Sequence, residues 1–396
     1  MSTEPFWPNN IHPDNTAPTT MMANPMMSDA NMTDPIVSTT RSRRVWPWVA
    51  AVLLVVAVVV AFVVPVPYYL EGPGSTRATQ QFITISGHES FESEGQVRLV
   101  TVSQRHATLA ALALGWLRPN IDIVSERDVI GTVDRKTERL INQAQMDRSK
   151  LVALVAAFDV LGLPITITGH GALVQGFAED EVPARSVLQV GDVITAVGER
   201  SIATTTELRS ALDGAAPGDV VTVTVSRLES QDPLQALIPS AQRHELAVEV
   251  ELARNPEEDR AMLGVTVQTF NETVDTGFSV EFDSGGVLGP SAGLAWTLGL
   301  IDRLTPGDLT GGRVVGVTGE IDAAGNVGAI GGVDKKVVGA IRDGATVFLY
   351  PSETSEADLK RLEKAAGGRI ELHAVSTLRE ALALLDPAEY SDAAEN

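Results

Sequence analysis

The chain has 396 residues, 44% of them hydrophobic, and no cysteine. This length is sufficient for two or three domains with hydrophobic cores, and the lack of cysteine excludes disulfides, thiol nucleophiles and Cys-ligated zinc. The 51 Asp and Glu residues outnumber the 30 Lys and Arg residues, which gives a net charge of −21 that repels phosphate backbones and argues against nucleic acid as a partner.

The first part of the chain predicts a tail followed by a membrane anchor. Residues 1–44 are rich in Asn, Met, Thr and Pro and lack apolar periodicity, which predicts a disordered tail. Residues 45–70 carry no charge, and their centre, AAVLLVVAVVVAFVV, is apolar enough to cross a bilayer as a helix. A cleaved signal peptide is the alternative, but no small-x-small site directly follows the apolar run.

The charges around the apolar segment predict its orientation. Three arginines precede it and Glu71 follows it, so the positive-inside rule places the tail in the cytoplasm and the rest of the chain outside the cell membrane. The arginines are Arg41, Arg43 and Arg44. The aromatic residues expected at the two membrane interfaces are Trp46, Trp48, Tyr68 and Tyr69.

Two exported segments follow the anchor. Residues 71–162 mix short β-rich runs with an amphipathic helix, TERLINQAQMDRSKLVALVAAFDVLGL, and predict an α/β segment without an active-site motif. Residues 163–252 change to short alternating strands and turns, with a short helix, TTTELRSALDG, before the last strand.

The segment SVLQVGDVITAV, followed by the short helix and a strand, resembles a PDZ domain. The resemblance implies that an extended peptide adds as a strand beside the helix, with its end received by a glycine-bearing loop. The expected loop residues are Gly169, Gly171 and Ala172. A PDZ-shaped spacer that binds no peptide is the alternative.

Residues 282–304, FDSGGVLGPSAGLAWTLGLIDRL, predict a strand, a glycine-rich turn and a helix with Ser291 in its first turn. A serine at this point lies beside free backbone N–H groups, which can stabilise an oxyanion with help from the helix dipole. The candidate turn and oxyanion residues are Gly289, Pro290 and Ala292. The alternative is that Ser291 only caps the helix, and a nucleophilic serine would also require a base.

A base is available in residues 314–351, which predict a strand, a hairpin-like turn, a helix and a second strand. If the helix begins near Val333, Lys336 shares its apolar face, whereas Lys335 points towards Arg342 and solvent. A lysine on a buried face has a lowered pKa and can accept a proton from a serine near neutral pH.

In this order and spacing, FDSGGVLGPSAGLA, VTGEI and IGGVDKK resemble the proteolytic domain of the Lon proteases. The resemblance implies a Lon-like proteolytic domain over residues 255–385, with Ser291 as nucleophile, Lys336 as general base and Thr318 as hydrogen-bond partner of the lysine. One position departs from many Lon proteases, which have an Asp where this chain has Leu288.

The whole chain resembles membrane-anchored, PDZ-containing Lon-like proteases of Gram-positive and actinobacterial cells. The expected fold is therefore α+β and multidomain, ending in an acidic tail over residues 386–396. The expected partners are polypeptide substrates and the membrane, and the oligomeric state stays open, with a homo-oligomer as one alternative. No G-x-x-x-x-G-K-[ST] motif occurs, which predicts proteolysis without ATP.

Two other functions remain open from the sequence. GPSAG also fits the nucleophile elbow of α/β-hydrolases, with His373 as the base and Asp343 or Asp358 as the third member. Alternatively, the chain is a non-catalytic envelope scaffold with a relic protease domain. No cofactor and no metal site is expected, since the six histidines are scattered and no HExxH motif occurs.

Overall fold

The computed structural model describes residues 45–118, 120–130, 135–178, 182–229, 241–255 and 260–390. The predicted tail over residues 1–44 and the last six residues of the acidic tail lie outside these ranges. The helices are α1 (Trp46–Val63), α2 (Leu109–Trp116), α3 (Glu126–Ile130), α4 (Arg135–Leu161), α5 (Thr205–Ala211), α6 (Gly293–Leu304), α7 (Val333–Arg342), α8 (Glu356–Ala366), α9 (Leu378–Leu385) and α10 (Pro387–Tyr390).

The strands are β1 (Pro65–Ala78), β2 (Ile83–Ser86), β3 (Gln96–Thr108), β4 (Asp122–Ser125), β5 (Thr166–Thr168), β6 (Ala172–Phe177), β7 (Val193–Val197), β8 (Arg200–Ser201), β9 (Val220–Leu228), β10 (Arg243–Glu251), β11 (Ala253–Arg254), β12 (Ala261–Met262), β13 (Val265–Thr269), β14 (Thr273–Asp275), β15 (Ser279–Phe282), β16 (Val314–Val317), β17 (Glu320–Ile321), β18 (Val327–Gly328), β19 (Val347–Pro351) and β20 (Glu371–Val375).

Helix α1 is an apolar helix of 18 residues without a charged side chain. At 1.5 Å per residue it is about 27 Å long, close to the thickness of a hydrocarbon core. It ends at Val63, earlier than the predicted end at residue 70, because the chain continues from Pro65 as strand β1. Tyr69, predicted at a membrane interface, is instead buried in β1 with its ring centroid 4.1 Å from that of His106.

The larger sheet has six strands in the order β20, β19, β16, β3, β1, β4. Strand β16 pairs in parallel with both β19 and β3, and β1 pairs antiparallel with β3 and β4. Half of the sheet therefore comes from residues 65–125 and half from residues 314–375. The predicted α/β segment over residues 71–162 thus shares one sheet with residues 314–375, and β3 covers what would otherwise be an unpaired edge of β16.

The side chains of this sheet alternate between two helical layers, as the period of a strand requires. Val347 and Leu349 face a core that contains Phe158 of α4 and Trp296 of α6, and all four are nearly inaccessible to solvent. Phe348 and Tyr350 face the opposite core, formed with α7 and α8. The predicted amphipathic helix, α4, thus packs directly behind the predicted active-site helix α6.

The smaller sheet has the order β10, β9, β7, β6, β13, with α5 packed against it around Leu208. Its last strand, β13, lies beyond residue 252, where the sequence predicted the end of this unit. The antiparallel pair β5 and β14 connects this sheet to the rest of the protein, with Thr168 opposite Thr273. Residues 169–272 therefore leave and return at neighbouring points and form an insertion.

Candidate active site

Ser291 lines a cleft of about 760 Å³ and lies in the turn between β15 and α6. The sequence predicted Ser291 in the first turn of the helix. The helix begins at Gly293, so Ser291 instead lies just before the first turn. The turn contains three glycines in the left-handed region, Gly285, Gly286 and Gly289, with φ between 55° and 86°. Residues with a Cβ are strained at such angles, so the glycines are needed to bring the serine to the surface of the cleft.

Side chains and backbone from the first part of the chain hold the turn in place. Arg77 Nη1 donates to the carbonyl oxygen of Gly285 at 2.7 Å, and Ser149 Oγ donates to that of Pro290 at 3.0 Å. The Gly289 N–H donates to the carbonyl oxygen of Asn142 at 3.0 Å. The sequence prediction missed these anchors, because no motif connects residues so far apart.

Lys336 lies on the inward face of α7, as its spacing from Val333 predicted. Only 3% of the side chain is exposed, and Nζ lies 3.0 Å from Ser291 Oγ. The helix begins at Val333, and its buried apolar residues follow the predicted period. The structure therefore brings together the serine and the lysine that the sequence selected from segments 45 residues apart.

Thr318 connects these two residues from the end of β16. Lys336 Nζ donates to Thr318 Oγ1 at 3.0 Å, and Thr318 Oγ1 donates to the carbonyl oxygen of Ser291 at 3.2 Å. The Gly319 N–H donates to the same carbonyl at 3.1 Å. The threonine thus occupies one direction around the amine and leaves another direction for the serine hydroxyl.

Burial lowers the pKa of Lys336 from 10.5 to about 7, because the ammonium form loses hydration. The negative charge of Glu320 acts in the opposite direction. Burial also raises the pKa of Glu320, while the charge of Lys336 opposes that increase. At neutral pH a substantial fraction of Lys336 is therefore an uncharged amine with a lone pair available beside Ser291.

Lys335 is not solvent-exposed, and the prediction that it points towards Arg342 and solvent was wrong. Only 5% of Lys335 is exposed, and its Nζ forms ion pairs with Asp122 of β4 and, at 2.7 Å, with Asp334. Burial favours a lower pKa, but hydrogen bonds to Asp122 and Asp334 outweigh it and raise the pKa of Lys335. Lys335 therefore stays charged and holds α7 against β4.

The backbone donors of the turn differ from the predicted set. The Gly289 N–H already donates to Asn142, and Pro290 has no N–H. Ala292 and Ser291 itself line the cleft, and among the described residues neither backbone N–H has an acceptor. These two amides just before α6 are therefore candidate donors to an oxyanion.

The α/β-hydrolase alternative fails because Ser291, His373 and the candidate aspartates lie in separate hydrogen-bond networks. His373 Nε2 lies 3.7 Å from Glu371 Oε2 on strand β20. Asp343 accepts hydrogen bonds from Thr76 and Arg342, and Asp358 binds Ser355 and Arg361 at the start of α8. The residue at Ser291 Oγ is Lys336 instead.

In the predicted peptide-receiving loop, Gly169 to Ala172, two backbone donors already have acceptors. The His170 N–H donates to the carbonyl oxygen of Phe270, and the Gly171 N–H donates to that of Ala203. A Cβ at Gly171 would lie 2.6 Å from the carbonyl oxygen of Ile194, so this glycine permits close backbone packing. Ala172 is fully buried at the start of β6. Two of the donors that the prediction assigned to a peptide end are therefore used within the domain.

Strand β13 is one of the two edge strands of the smaller sheet, and β10 is the other. Val174 of β6 uses both backbone groups towards β7, where its N–H donates to Asp192 and its C=O accepts from Gly191. Its partner across the ladder, Val267, is therefore in a non-hydrogen-bonded pair and directs its N–H and C=O outward. Helix α5 lies beside β13, where the Thr205 N–H donates to Thr269 Oγ1 at 3.2 Å.

The sequence around β13 gave a signal that the prediction missed. Residues 261–270, AMLGVTVQTF, place a glycine before an alternating strand. Gly264 has φ of 71°, and the turn before it leads directly into β13. The predicted peptide site did not include the edge of β13, because the predicted unit ended at residue 252.

Two family models match the chain. Residues 268–386 match the Lon protease (S16) C-terminal proteolytic domain, and residues 159–252 match the PDZ domain. The Lon protease of Elusimicrobium minutum is 36% identical over 107 residues, which cover 26% of this chain and 12% of that protein. Lon protease 1 of Sorangium cellulosum is 40% identical over 99 residues, which cover 24% of this chain and 11% of that protein.

A solved structure is similar to part of the chain. The PDZ domain of the SdrC-like protein from Listeria monocytogenes is 19% identical, with a TM-score of 0.20, and the match covers 25% of this chain and 87% of that chain.

Proposed function

Because the chain carries a Lon-type serine peptidase domain and a PDZ domain, we propose that it is a membrane-anchored serine endopeptidase that cleaves unfolded or flexible polypeptides without ATP. One observation carries the proposal. The buried amine of Lys336, with its pKa lowered to about 7, lies 3.0 Å from the hydroxyl of Ser291 in an open cleft.

In the first step, neutral Lys336 accepts the proton of the Ser291 hydroxyl while Oγ forms a bond to the carbonyl carbon of the substrate. The carbonyl oxygen becomes negative and accepts hydrogen bonds from the amides of Ser291 and Ala292. Thr318 keeps accepting a hydrogen bond from Nζ in both protonation states, so the amine does not rotate away from the serine.

In the second step, the C–N bond breaks and the Lys336 ammonium gives its proton to the leaving amine, which leaves an acyl ester on Ser291. Lys336 is then neutral again and can accept a proton from an incoming water, which attacks the ester. The second tetrahedral intermediate collapses with return of that proton to Ser291 Oγ. The carboxylic acid product leaves, and the serine and lysine are restored.

Full-length protein in detergent should cleave an unfolded protein without nucleotide, and ATP should not increase the rate. Ser291→Ala should reduce the rate at least about a thousandfold, because the acyl ester cannot form. Mass spectrometry of the products measures the rate and gives the cleavage preference. Equal cleavage by Ser291→Ala and the wild type would contradict the proposal.

The PDZ domain selects substrates in this proposal. An extended peptide adds to the outward N–H and C=O groups of β13, beside α5, which is the usual way in which a strand edge binds a peptide. The backbone of β13 continues through β14 and β15 to the Ser291 turn. In this proposal, a polypeptide held on β13 is passed from there to the cleft.

The insertion can be removed where β5 meets β14. Thr168 and Thr273 are paired, with their hydroxyl oxygens 2.7 Å apart, so an Asn-Gly turn in place of residues 169–272 should close a two-residue hairpin. We expect this protein to hydrolyse a short peptide at close to the wild-type rate and to cleave an unfolded protein at least tenfold more slowly. Equal losses on both substrates would mean that the insertion only supports the fold.

The proposal places the domains outside the cell, with α1 in the membrane. Its support is the charge-free length of α1 and the arginines that precede it. A reporter enzyme that is active only outside the cytoplasm should therefore be active when fused after Asn396. Cytoplasmic activity of that fusion would contradict the orientation.

A further inference from the structure

Helix α2 has an apolar outer face. Its eight residues, LAALALGW, include no charged or hydrogen-bonding polar side chain except the indole of Trp116. The exposed fractions are 54% for Leu109, 51% for Leu114, 83% for Trp116 and 70% for Leu117, which follows the helix. Leu109, Trp116 and Leu117 are spaced by seven and eight residues and so share one side. A helix at the surface of a soluble domain normally carries polar residues there.

The opposite side fixes α2 to the larger sheet. A Cβ at Gly115 would lie 3.0 Å from Leu70 Cδ2, so the glycine lets the helix approach β1 closely. Thr108 caps the helix, with its side chain accepting a hydrogen bond from the Ala111 N–H at 3.2 Å. The apolar face is therefore a fixed part of the domain.

The register of the sheet places α2 beside the end of α1. Thr108, the residue before α2, pairs with Pro65, and α1 ends at Val63. The first residue of α2 is thus one strand away from the point where the chain leaves the apolar helix. In the proposed anchoring, that point is the boundary between lipid and water.

We propose that α2 lies flat in the interface of the membrane that α1 spans, with Leu109, Trp116 and Leu117 in contact with lipid. The proposal rests on the proposed anchoring by α1. The continuity with α1 favours lipid over a second copy of the chain, and a tryptophan in this position is typical of a membrane interface. Arg118, exposed directly after the apolar face, can reach the lipid phosphates.

A flat α2 limits how far the cleft is from the lipid. Glu71 lines the cleft and lies six residues after Pro65 on β1. At about 3.3 Å per residue, this separation is at most about 20 Å. The class of substrate that fits is a flexible segment next to the membrane, such as the chain adjoining a membrane-spanning helix.

The lack of cysteine makes a direct test possible in the full-length chain. Single substitutions Leu117→Cys, Val60→Cys and Leu246→Cys each receive a nitroxide spin label, in vesicles of phosphatidylethanolamine and phosphatidylglycerol. Collisions with oxygen, which concentrates in lipid, are compared with collisions with a water-soluble nickel chelate. Val60 of α1 is the lipid control, and Leu246, 36% exposed on β10, is the water control. Circular dichroism checks that each variant is folded.

We expect the label at 117 to resemble that at 60, with high oxygen and low nickel accessibility. Nickel accessibility at 117 equal to that at 246, with 60 in lipid, would overturn this inference and leave the anchor intact. Low accessibility to both reagents at 117 would also overturn it, because the face would then be covered by protein. Water accessibility at 60 would contradict the anchor itself, and this inference with it.

Discussion

Lys336→Met should abolish cleavage and make the protein more stable at neutral pH. The loss of cleavage follows because no other described group near Ser291 Oγ can accept its proton, and we expect a decrease of at least about a thousandfold. The gain in stability follows from the pKa of Lys336, which is 10.5 in the unfolded chain and about 7 in the folded one. Between these values the unfolded state binds more protons, so the lysine destabilises the fold as the pH falls.

The size of this effect depends on pH in a defined way. Above about pH 10.5 Lys336 is neutral in both the folded and the unfolded state, so its burial does not lower the stability in this way. The cost of burying a charged Lys336 grows as the pH falls from about 10.5 to about 7. Below about pH 7 it reaches its full value, which for this lowering of the pKa is about 5 kcal/mol at most. The difference in melting temperature between Lys336→Met and the wild type should therefore be large at pH 6 and small at pH 10.5.

Two matched variants separate the roles of the adjacent lysines. Lys336→Arg should also be inactive, because a guanidinium does not lose its proton at working pH. Lys335→Met should keep most of the activity but lower the melting temperature, because Asp122 and Asp334 lose their cation. The wild-type rate should rise with pH to a plateau, with an apparent pKa of about 7. Wild-type activity of Lys336→Arg would refute the proposed base.

Phe158→Ala should destabilise the peptidase domain by about 3–5 kcal/mol, although Phe158 lies more than a hundred residues before the matched region. Its ring is fully buried, with its centroid 5.4 Å from that of Phe278, in the same core as Trp296. Truncation leaves a cavity in this core, behind the helix that follows Ser291. We expect loss of cleavage at temperatures where the wild type is active.

Denaturant unfolding with cleavage as a second readout measures this effect. Leu246→Ala is the matched control, since Leu246 is partly exposed on β10, and such a change should alter stability by no more than about 0.5 kcal/mol. An unchanged midpoint for Phe158→Ala would mean that α4 is not part of the core of the peptidase domain.

The pairing of Ser291 with Lys336 was predicted from two local patterns together with the resemblance of their motifs to the Lon proteolytic domain. A glycine-rich turn before a helix exposes the serine, and the period of α7 selects Lys336 over Lys335. The environment of Lys335 could not be predicted in this way. Its partner Asp122 is 213 residues away, and only the pairing of β4 with β1 brings the two together.

Contacts between distant segments also limited the prediction of the larger sheet and of strand β13. The strand character of residues 96–108 was visible in the sequence, but its parallel pairing with β16 is a contact between distant segments that local patterns do not encode. The alternating pattern of β13 was also visible. Its pairing with β6 was not, so the predicted PDZ-like unit over residues 163–252 did not include this strand.

The junction between α1 and β1 determines how this enzyme can be used by the cell. Only Val64 separates the helix from the strand, and β1 pairs with β3 from its first residue. In the proposed anchoring, a protease that released the folded domains would have to cut at this junction, because a cut further along would remove part of the strand that carries Tyr69 and Leu70. An enzyme anchored as proposed would therefore remain where it is inserted, and its reach would be set by substrates that diffuse in the plane of the membrane.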